Sequence, residues 1–479
     1  MPPPMTQLVR IRPMRRDSDA GAPATVDATE AGAGRVYLET FGCQMNEADS
    51  ALIAGQLGHA GYERVEDPAQ ADVILINTCA IREKAEDRVW GRTSQLLQHA
   101  RTNPALVIGI TGCMAEHLRD KVAARAPYIR LVAGPDSYRG IAGLVARARA
   151  GERVVDVKLD RSETYEGLDG VPDDDGVSGQ VTIQRGCDKF CSFCVVPYTR
   201  GRERAVPAPE VLRAVRRLAE AGYREVVLLG QTVNSYRDGD IDFATLLRAV
   251  ATVDGIARVR FTSPYPRDMS DALIEVMASE PTIMPQLHLP LQSGADAVLA
   301  RMGRGYGRDE YLALVERLRA AIPGLALSTD LMVGFCGETE DDHAQTLSLM
   351  REVRFDSAFM FRYSDRGVTQ AARKLVDDVD DETKGRRLRE VIELQEQHTR
   401  ASHDAQVGRR VPVLVGALAR RGDRLLGRTP QGHNALLPLG SAERGAIIEV
   451  IVTESTGHSL VAQPVVAAER AHAVNEDAP

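Results

Sequence analysis

Three of the seven cysteines in the 479-residue chain, Cys187, Cys191 and Cys194, stand within one stretch of eight residues. Their C-x3-C-x2-C spacing follows a strand-like run at 181–184, so a single loop carries all three thiols. Such a loop can place three thiolates on three corners of a cubane 4Fe-4S cluster, for which cysteine is the usual ligand. The fourth iron would keep an open position, which is typical of reactive metal centres. A zinc site would need a fourth ligand, and residues 195–197 (Val-Val-Pro) offer none.

A second set of cysteines, Cys43, Cys79 and Cys113, follows three separate apolar runs. Each run is followed by a helix-like pattern, and this alternation predicts a parallel sheet. The carboxyl ends of parallel strands meet at one edge, where open α/β sheets bind ligands. The three cysteines, 36 and 34 positions apart, should therefore converge and bind a second cluster. The alternative is that each thiol is ordinary core packing, since free cysteine is often buried.

The predicted fold class is α/β, and composition divides the chain into several domains. The pattern predicts a disordered leader at 1–33, an α/β domain at 34–150, an acidic linker at 161–179, a (βα)6 domain at 180–400, a small β-barrel at 404–466 and a disordered tail at 467–479. The acidic, Gly-containing linker marks a domain boundary because it has no apolar periodicity.

Composition limits the cellular location and the partners that can be expected for the protein. No stretch approaches the 18 apolar residues of a membrane span, and residues 1–17 lack the apolar core of a secretory signal. Seven cysteines at irregular spacing do not form a disulfide framework, so a reducing, cytoplasmic location is expected. The net charge of −8 argues against a nucleic-acid partner, but a local basic face can bind phosphate within an acidic protein.

Six βα units in series after residue 180 predict an open or partial barrel with function at the strand carboxyl ends. Several of those ends are Gly-rich or polar, as a small adenosine-containing ligand would require. The residues expected to bind it are Gly230, Gln231, Ser263, His288, Gln292, Ser293, Gly334 and Glu338. Taken singly, each could belong to an ordinary βα turn, and His288 alone would more often be a core histidine.

From Arg410 onwards, five short strands in about 55 residues predict a small barrel of the oligonucleotide-binding kind. Between 408 and 428, six arginines stand against one acid, Asp423. A basic face of this kind can contact an RNA backbone, whereas the bland alternative is a solubilising surface. The arginines proposed to contact RNA include Arg409, Arg410, Arg420 and Arg421.

The order of these features resembles the methylthiotransferases of the radical S-adenosylmethionine (SAM) superfamily, and within them the MiaB-type tRNA enzymes. The resemblance covers about residues 35–465. It depends on TFGCQMN at 40–46, NTCAIREKA at 77–85, the cluster loop through RGRER at 200–204, and LGQTVNSY at 229–236. Two positions depart from the usual pattern, Cys336 in place of Pro and Gly367-Val368 in place of Pro-Gly. We interpret Cys336 as a bystander rather than a metal ligand.

The resemblance implies a fold, a reaction and a set of cofactors. It implies an N-terminal methylthiotransferase domain, a radical SAM partial (βα)6 barrel and a C-terminal TRAM barrel. It implies two 4Fe-4S clusters, one on Cys187, Cys191 and Cys194 that cleaves SAM, and an auxiliary one on Cys43, Cys79 and Cys113. One SAM would supply the methyl group and a second the 5′-deoxyadenosyl radical.

The substrate implied by the resemblance is tRNA. The enzyme would convert N6-(dimethylallyl)adenosine next to the anticodon into its 2-methylthio derivative, acting as a monomer with a flavodoxin- or ferredoxin-type electron donor. Arg200, Arg202 and Arg204 would place phosphates near the active site. The alternatives are a methylthiotransferase acting on threonylcarbamoyl-adenosine or a ribosomal-protein aspartate, and a non-catalytic, zinc-stabilised RNA-binding protein.

Overall fold

The computed structural model describes residues 34–80, 83–171, 176–419 and 422–465. The predicted leader at 1–33, the predicted tail at 467–479, and Arg420 and Arg421 lie outside these ranges. The described chain forms two compact units. Residues 34–171 and Val195–Arg202 belong to the first, and residues 176–194 and 203–465 belong to the second.

The first unit is built on a six-stranded parallel sheet of order β2-β1-β3-β4-β5-β6. Its elements are β1 (Gly34–Phe41), α1 (Gln44–His59), β2 (Tyr62–Arg64), β3 (Val73–Thr78), α2 (Glu83–Leu96), β4 (Val107–Gly112), α3 (Cys113–Leu118), α4 (Asp120–Arg125), β5 (Ile129–Ala133), α5 (Ile141–Arg149) and β6 (Val154–Asp156). The central strand β3 is buried on both faces, since Val73 and Leu75 face one apolar cluster while Ile74 and Ile76 face another. Such two-sided burial is typical of parallel sheets covered by helices.

The three strands predicted before the cysteines correspond to β1, β3 and β4, and the parallel sheet is confirmed. The sequence analysis did not identify β2, β5 or β6. Two of these strands have three residues, and the third is interrupted by Arg130, so their apolar patterns are too short to recognise.

Part of the predicted acidic linker at 161–179 packs on the first unit. Tyr165 is 6% exposed in the core of that unit, and its hydroxyl donates to the carbonyl of Pro135 at 2.6 Å. Arg139 pairs with Glu163 at 2.7 Å. The acidic composition of this segment gave no sign that Tyr165 anchors it to the core. The next strand begins at Ser178.

The second unit carries the predicted barrel and the C-terminal strands. Its elements up to residue 404 are β7 (Ser178–Thr182), β8 (Gln184–Arg185), β9 (Arg204–Ala205), α7 (Ala208–Glu220), β10 (Glu225–Leu229), β11 (Arg237–Asp238), β12 (Ile241–Asp242), α8 (Phe243–Ala251), β13 (Arg258–Phe261), α9 (Asp271–Ser279), β14 (Gln286–His288), α10 (Asp296–Met302), α11 (Arg308–Ala321), β15 (Ala326–Val333), α12 (Glu340–Val353), β16 (Ser357–Arg362), α13 (Gln370–Lys374) and α14 (Asp381–Asp404). The intervening helix α6 (Val196–Thr199) belongs to the first unit.

Six parallel strands form the partial barrel, as two sheets of order β13-β10-β7 and β14-β15-β16. A parallel bridge between Val259 and Ile283 links the two sheets. Leu287, Leu327 and Leu331 face the helices and share one apolar core. Because side chains alternate along a strand, the neighbouring polar residues turn to the opposite face. The (βα)6 prediction is confirmed.

The C-terminal strands close into a barrel of order β17-β18-β19-β21-β20, as predicted. They are β17 (Arg410–Leu418), β18 (Arg424–Arg428), β19 (Asn434–Pro438), β20 (Ile447–Ser455) and β21 (Leu460–Pro464). Two buried arginines of β13 hold it to the strands of the partial barrel. Arg258 donates to the carbonyls of Arg428 and Pro412 at 2.6 and 2.9 Å, and Arg260 donates to that of Thr429 at 2.8 Å.

Within the described ranges, no helix is both long and apolar enough to cross a membrane.

We expect Arg258→Met to loosen the C-terminal barrel. The substitution keeps an elongated side chain but removes both donors, and hydrogen bonds from charged groups contribute about 1.5–3 kcal/mol each. The free energy of opening, measured by hydrogen–deuterium exchange in β17 and β18, should fall by roughly 3 kcal/mol. Arg248→Met, on the half-exposed surface of α8, is the control and should leave exchange in these strands unchanged. Equal protection in the two variants would contradict the docking role.

Candidate iron-sulfur and SAM site

The first cysteine trio lies at one edge of the six-stranded sheet. Strands β1, β3 and β4 are adjacent, and their last residues pair in register. Cys79 and Cys113 directly follow β3 and β4, while Cys43 follows β1 by two positions. The topology therefore brings together three residues that lie 36 and 34 positions apart in the sequence.

Glycines allow the strand-end turns to approach one another closely. Gly42 has φ +147°, and a Cβ atom there would lie 2.8 Å from the Cβ atom of Cys79. Gly112 has φ +89°, and a Cβ atom there would lie 2.4 Å from Oδ1 of Asn77. A side chain at either position would push the cysteine-bearing turns apart.

Buried amide side chains join the same turns. Asn46 donates through Nδ2 to the carbonyl of Thr78 at 3.2 Å, and Asn77 donates to the carbonyl of Asn46 at 2.8 Å. Asn77 also donates to Oγ of Ser50 at 2.9 Å. The hydroxyl of Thr78 reaches the carbonyl of Thr111 at 2.9 Å. These bonds fix the turns relative to one another within the first unit.

The three thiols of this trio differ in their surroundings. Cys43 is exposed, whereas Cys79 and Cys113 are buried. A hydrogen bond with Cys79 lowers the pKa of the Cys43 thiol to about 6, and burial raises the pKa of Cys113. The thiolate is the form that binds metals. The thiol of Cys43 therefore ionises more readily than that of Cys113.

A buried ion pair lies beside the first trio. Nη2 of Arg200 contacts Oδ2 of Asp49 at 2.8 Å, and both side chains are almost fully buried. The Tyr138 hydroxyl donates to the same carboxylate oxygen at 3.4 Å. The positive charge of Arg200 lowers the pKa of Cys113 against the larger effect of burial. The prediction that Arg200 contacts phosphate therefore needs correction, because a buried, paired guanidinium is not positioned to meet RNA.

The second trio stands on the loop that follows β8 in the second unit. The thiol of Cys187 lies 3.2 Å from the hydroxyl of Thr232. Phe190, inside the loop, has φ +50°, a strained value for a residue with a side chain. Ser192 ties the loop to the end of α10, since its amide donates to the carbonyl of Met302 at 2.8 Å. The loop is thus held at the carboxyl ends of the barrel strands.

Arg304 contacts the middle cysteine of this loop. Its Nη1 donates to the sulfur of Cys191 at 3.4 Å, and its Nη2 donates to the carbonyl of Pro290 at 2.8 Å. The guanidinium lies over the rings of Tyr265 and Tyr306, 4.8 and 5.2 Å from their centroids. Cation–π contacts of this kind stabilise a desolvated charge.

The donor set of each trio fits an iron–sulfur cluster. Each trio offers three cysteine thiols, and thiolates are the usual ligands of such clusters. In the part of the chain that the structure describes, no group of three or more His, Cys, Asp or Glu side chains is placed to hold a single metal ion.

The predicted SAM-binding residues lie at or just beyond the carboxyl ends of β10, β13, β14 and β15. Ser263 and Gln292 have φ values of +57° and +77°, and such strain in residues other than glycine clusters at ligand sites. Gly230 and Gln231 follow β10, and Oε1 of Gln231 accepts from the amide of Gly186 in the cluster loop at 2.5 Å. Gln231 therefore contacts the start of the loop that carries Cys187.

Two other predicted SAM contacts have structural partners. Oε2 of Glu338 accepts from Nη1 of Arg387 at 2.8 Å and from the amide of Gly334, and its carboxylate is fully buried. The Ser293 hydroxyl is also buried, 3.3 Å from Oγ1 of Thr346. These contacts fix the turns after β14 and β15, and the assignment of both residues to SAM binding stays a prediction.

His288 is half-buried on the polar face of β14. Its Nδ1 lies 3.0 Å from Oγ of Ser328, and its Nε2 lies 3.5 Å from Oδ2 of Asp330. The ring packs edge-on against Phe359, which is 45% exposed. The sequence analysis missed Asp330 and Phe359, although their period-2 placement on β15 and β16 puts them on the same face.

The remaining predicted sites fall in two groups. Arg202, Arg409 and Arg410 are exposed, and Arg204 is half-buried. Cys336 is 3% exposed in an apolar cluster with Phe335, and burial raises its pKa. The interpretation of Cys336 as a bystander stays a prediction.

Comparison with known proteins assigns the class first. Residues 181–350 match the radical SAM superfamily, and residues 35–134 match an uncharacterised protein family designated UPF0004. Among solved structures, the radical SAM methyltransferase TsrM from Kitasatospora setae superimposes with a TM-score of 0.54 at 13% identity, over 71% of this chain and 77% of that one. The cobalamin-dependent radical SAM enzyme OxsB gives a TM-score of 0.52 at 12% identity, over 76% and 56% of the two chains. These two similarities establish the fold alone.

Sequence relatives then give the particular family. A tRNA-2-methylthio-N(6)-dimethylallyladenosine synthase from Chlorobium luteolum is 46% identical over 89% of this chain and 96% of its own length. Synthases of the same name from Pelodictyon phaeoclathratiforme and Phocaeicola vulgatus are 43% and 42% identical, each over 91% of this chain and over 100% and 97% of their own lengths. The chain belongs to the tRNA-2-methylthio-N(6)-dimethylallyladenosine synthase family.

Gly112→Ala should destabilise the first unit, while Gly143→Ala should not. At position 112 the backbone is left-handed and the new Cβ atom would overlap Asn77 and the carbonyl of Thr78, at a cost of about 1–3 kcal/mol. At position 143, inside α5, a Cβ atom meets no atom within 4 Å, and alanine favours helix by roughly 0.5–1 kcal/mol. Thermal unfolding of the two variants measures the contrast. A Gly112→Ala protein as stable as the Gly143→Ala protein would refute the close approach of the turns.

The carboxyl of Glu116 on α3 should give the first unit a pH-dependent stability. Burial raises its pKa to about 7, against the lowering effect of Arg119. A raised pKa in the folded state means stability that is complete below pH 4.5 and is lost as the pH rises through 7. Glu116→Gln should therefore be increasingly more stable than the wild type between pH 5 and 8, by up to roughly 3 kcal/mol. A difference in unfolding free energy that stays constant over this range would contradict the raised pKa.

Proposed function

We propose that the chain methylthiolates N6-(dimethylallyl)adenosine in tRNA at C2, next to the anticodon, and that its two cysteine trios divide the work. The observation that carries this proposal is the presence of two trios, each at the carboxyl ends of parallel strands and each in a separate unit. The names of the sequence relatives support the dimethylallyl-adenosine substrate over threonylcarbamoyl-adenosine or a ribosomal-protein aspartate.

The chemistry of the target explains why ordinary acid–base groups would be insufficient. The C2–H bond of adenine is not activated toward proton abstraction, so a general base offers little driving force. Cofactor radicals can remove such a hydrogen atom, and the protein then supplies binding and orientation. When bound at Cys187, Cys191 and Cys194, a 4Fe-4S cluster supplies the one-electron chemistry of the radical SAM superfamily.

The residues around the cluster loop have defined tasks in this proposal. Thr232 and Arg304 orient and stabilise the thiolates of Cys187 and Cys191 through hydrogen bonds to sulfur. Gln231 holds the amide of Gly186, which fixes the start of the loop. Together these contacts would keep the three thiolates in place for a cluster that also binds SAM.

The first unit would hold the auxiliary cluster on Cys43, Cys79 and Cys113. Its amide network and the two glycine turns keep the thiols at separate positions, and Arg200 places a positive charge beside Cys113. Methyl transfer from the other SAM molecule to a sulfur atom would take place at this second cluster.

RNA binding would use the exposed arginines Arg202, Arg409 and Arg410, the last two at the start of the C-terminal barrel. The target adenosine lies in a single-stranded loop, whose bases can be splayed into a pocket. We further propose a monomer that works in the cytoplasm with its tRNA and receives electrons from a flavodoxin- or ferredoxin-type protein.

The first experiment compares the wild type with a Cys43→Ala/Cys79→Ala/Cys113→Ala variant under anaerobic conditions. We expect the variant to lose about half of its iron and sulfide, because one of two equal clusters is gone. It should still cleave SAM to 5′-deoxyadenosine but should not thiolate tRNA. Cys336→Ala is the matched control and should retain both clusters and full activity. A triple variant with unchanged iron content would refute the auxiliary cluster.

A further inference from the structure

We propose that Arg304 is a positioning residue that raises the reduction potential of the cluster on Cys187, Cys191 and Cys194. Its side chain is buried, and the contact to the sulfur of Cys191 is one of its three hydrogen-bonding directions. The inference rests on the radical SAM class of the chain. It does not depend on the auxiliary cluster.

The position of the Arg304 guanidinium is fixed on every side. Nε donates to the hydroxyl of Tyr306 at 2.9 Å, Nη2 donates to the carbonyl of Pro290 at 2.8 Å, and Nη1 points to Cys191. The rings of Tyr265 and Tyr306 cover its faces. The two phenols and the carbonyl of Pro290 are all neutral, so these contacts hold the guanidinium in place without neutralising its charge.

The charge of Arg304 has no carboxylate counterpart among the described residues. The groups that act most strongly on it are Tyr306, Cys191 and Tyr265. The arginine beside the other trio is different, since Arg200 is paired with Asp49 at 2.8 Å within its own unit. Thus one cysteine trio has an uncompensated positive charge in contact with a ligand sulfur, and the other has a neutralised one.

An uncompensated charge at this place acts directly on the redox equilibrium. Reduction adds one electron to the cluster from a one-electron donor, which is itself oxidised by one electron, and no proton is required. A nearby positive charge in a medium of low dielectric constant favours the more negative, reduced form. Hydrogen bonds to cluster sulfurs also raise the potential. Arg304 combines both effects at one atom.

The test uses a protein with a single cluster, so that only one redox centre is titrated. In a Cys43→Ala/Cys79→Ala/Cys113→Ala background, Arg304→Gln removes the charge, and Arg304→Lys retains it with a different shape. Redox titration monitored by electron paramagnetic resonance gives the ratio of reduced to oxidised cluster at a fixed potential. We expect this ratio to fall at least tenfold in the Gln variant, a shift of about 59 mV for one electron. The Lys variant should stay within about threefold of the parent, roughly 30 mV.

Arg308→Gln is the matched control. Arg308 lies four positions further along the chain, at the start of α11; it donates to the carbonyl of Gln345 at 2.8 Å and pairs with Glu352, but has no described contact with a cysteine. Its loss should leave the potential unchanged. An equal shift in the Arg308 and Arg304 variants would overturn the assignment, as would an Arg304→Gln protein that keeps its iron and titrates like the parent.

If Arg304→Gln does not retain a cluster, the Lys variant decides the question. Lysine cannot reproduce the planar three-way contact, so thermal stability should fall while the potential stays close to that of the parent. The ratio of reduced to oxidised cluster could instead fall tenfold or more in the Lys variant, although the lysine charge is present. That result would show that packing, rather than charge, sets the reduction potential, and the proposal would fail.

Discussion

Both cysteine trios depend on hydrogen bonds that fix the turns or the loop carrying them. In the first unit, hydrogen-bonding register aligns β1, β3 and β4, so the residues that follow them have little freedom. In the second unit, a single loop carries all three cysteines, and Ser192 fixes it to α10. Long-range topology therefore brings the first trio together, whereas short-range spacing brings the second trio together.

The sequence predicted the architecture well because its main signals are local. Apolar runs such as Val73–Thr78 and the C-x3-C-x2-C loop are visible without knowledge of distant residues. The exposure of charged side chains was harder to predict. Arg200 belongs to an Arg-rich segment, yet it is buried because Asp49, 151 positions earlier, supplies its counter-charge. Glu338 likewise stands in a turn that the sequence predicts to bind a ligand, and one oxygen of its carboxylate accepts from Arg387, 49 positions later.

The sequence analysis did not assign a role to two residues that contact the cluster loop. Thr232 and Arg304 contact it from positions 45 and 113 residues away along the chain. Thr232 lies within the LGQTVNSY segment but has no residue type that marks it as a contact to sulfur, and Arg304 lies outside the quoted motifs. Their roles follow only from the partial barrel, which places the turns after its strands around one centre. A tertiary contact of this kind has no local signature.

The buried arginines of β13 have a consequence for the modularity of the enzyme. Arg258 and Arg260 both donate to main-chain carbonyls of the C-terminal barrel, and Arg260 is also paired with Glu225 of the partial barrel at 2.7 Å. Replacing the C-terminal barrel with another module would therefore require new acceptors for the remaining donors of both arginines. The chain therefore behaves less like a string of exchangeable parts than its sequence boundaries imply, and a chimera designed at residue 404 would have to carry the Thr429 turn with it.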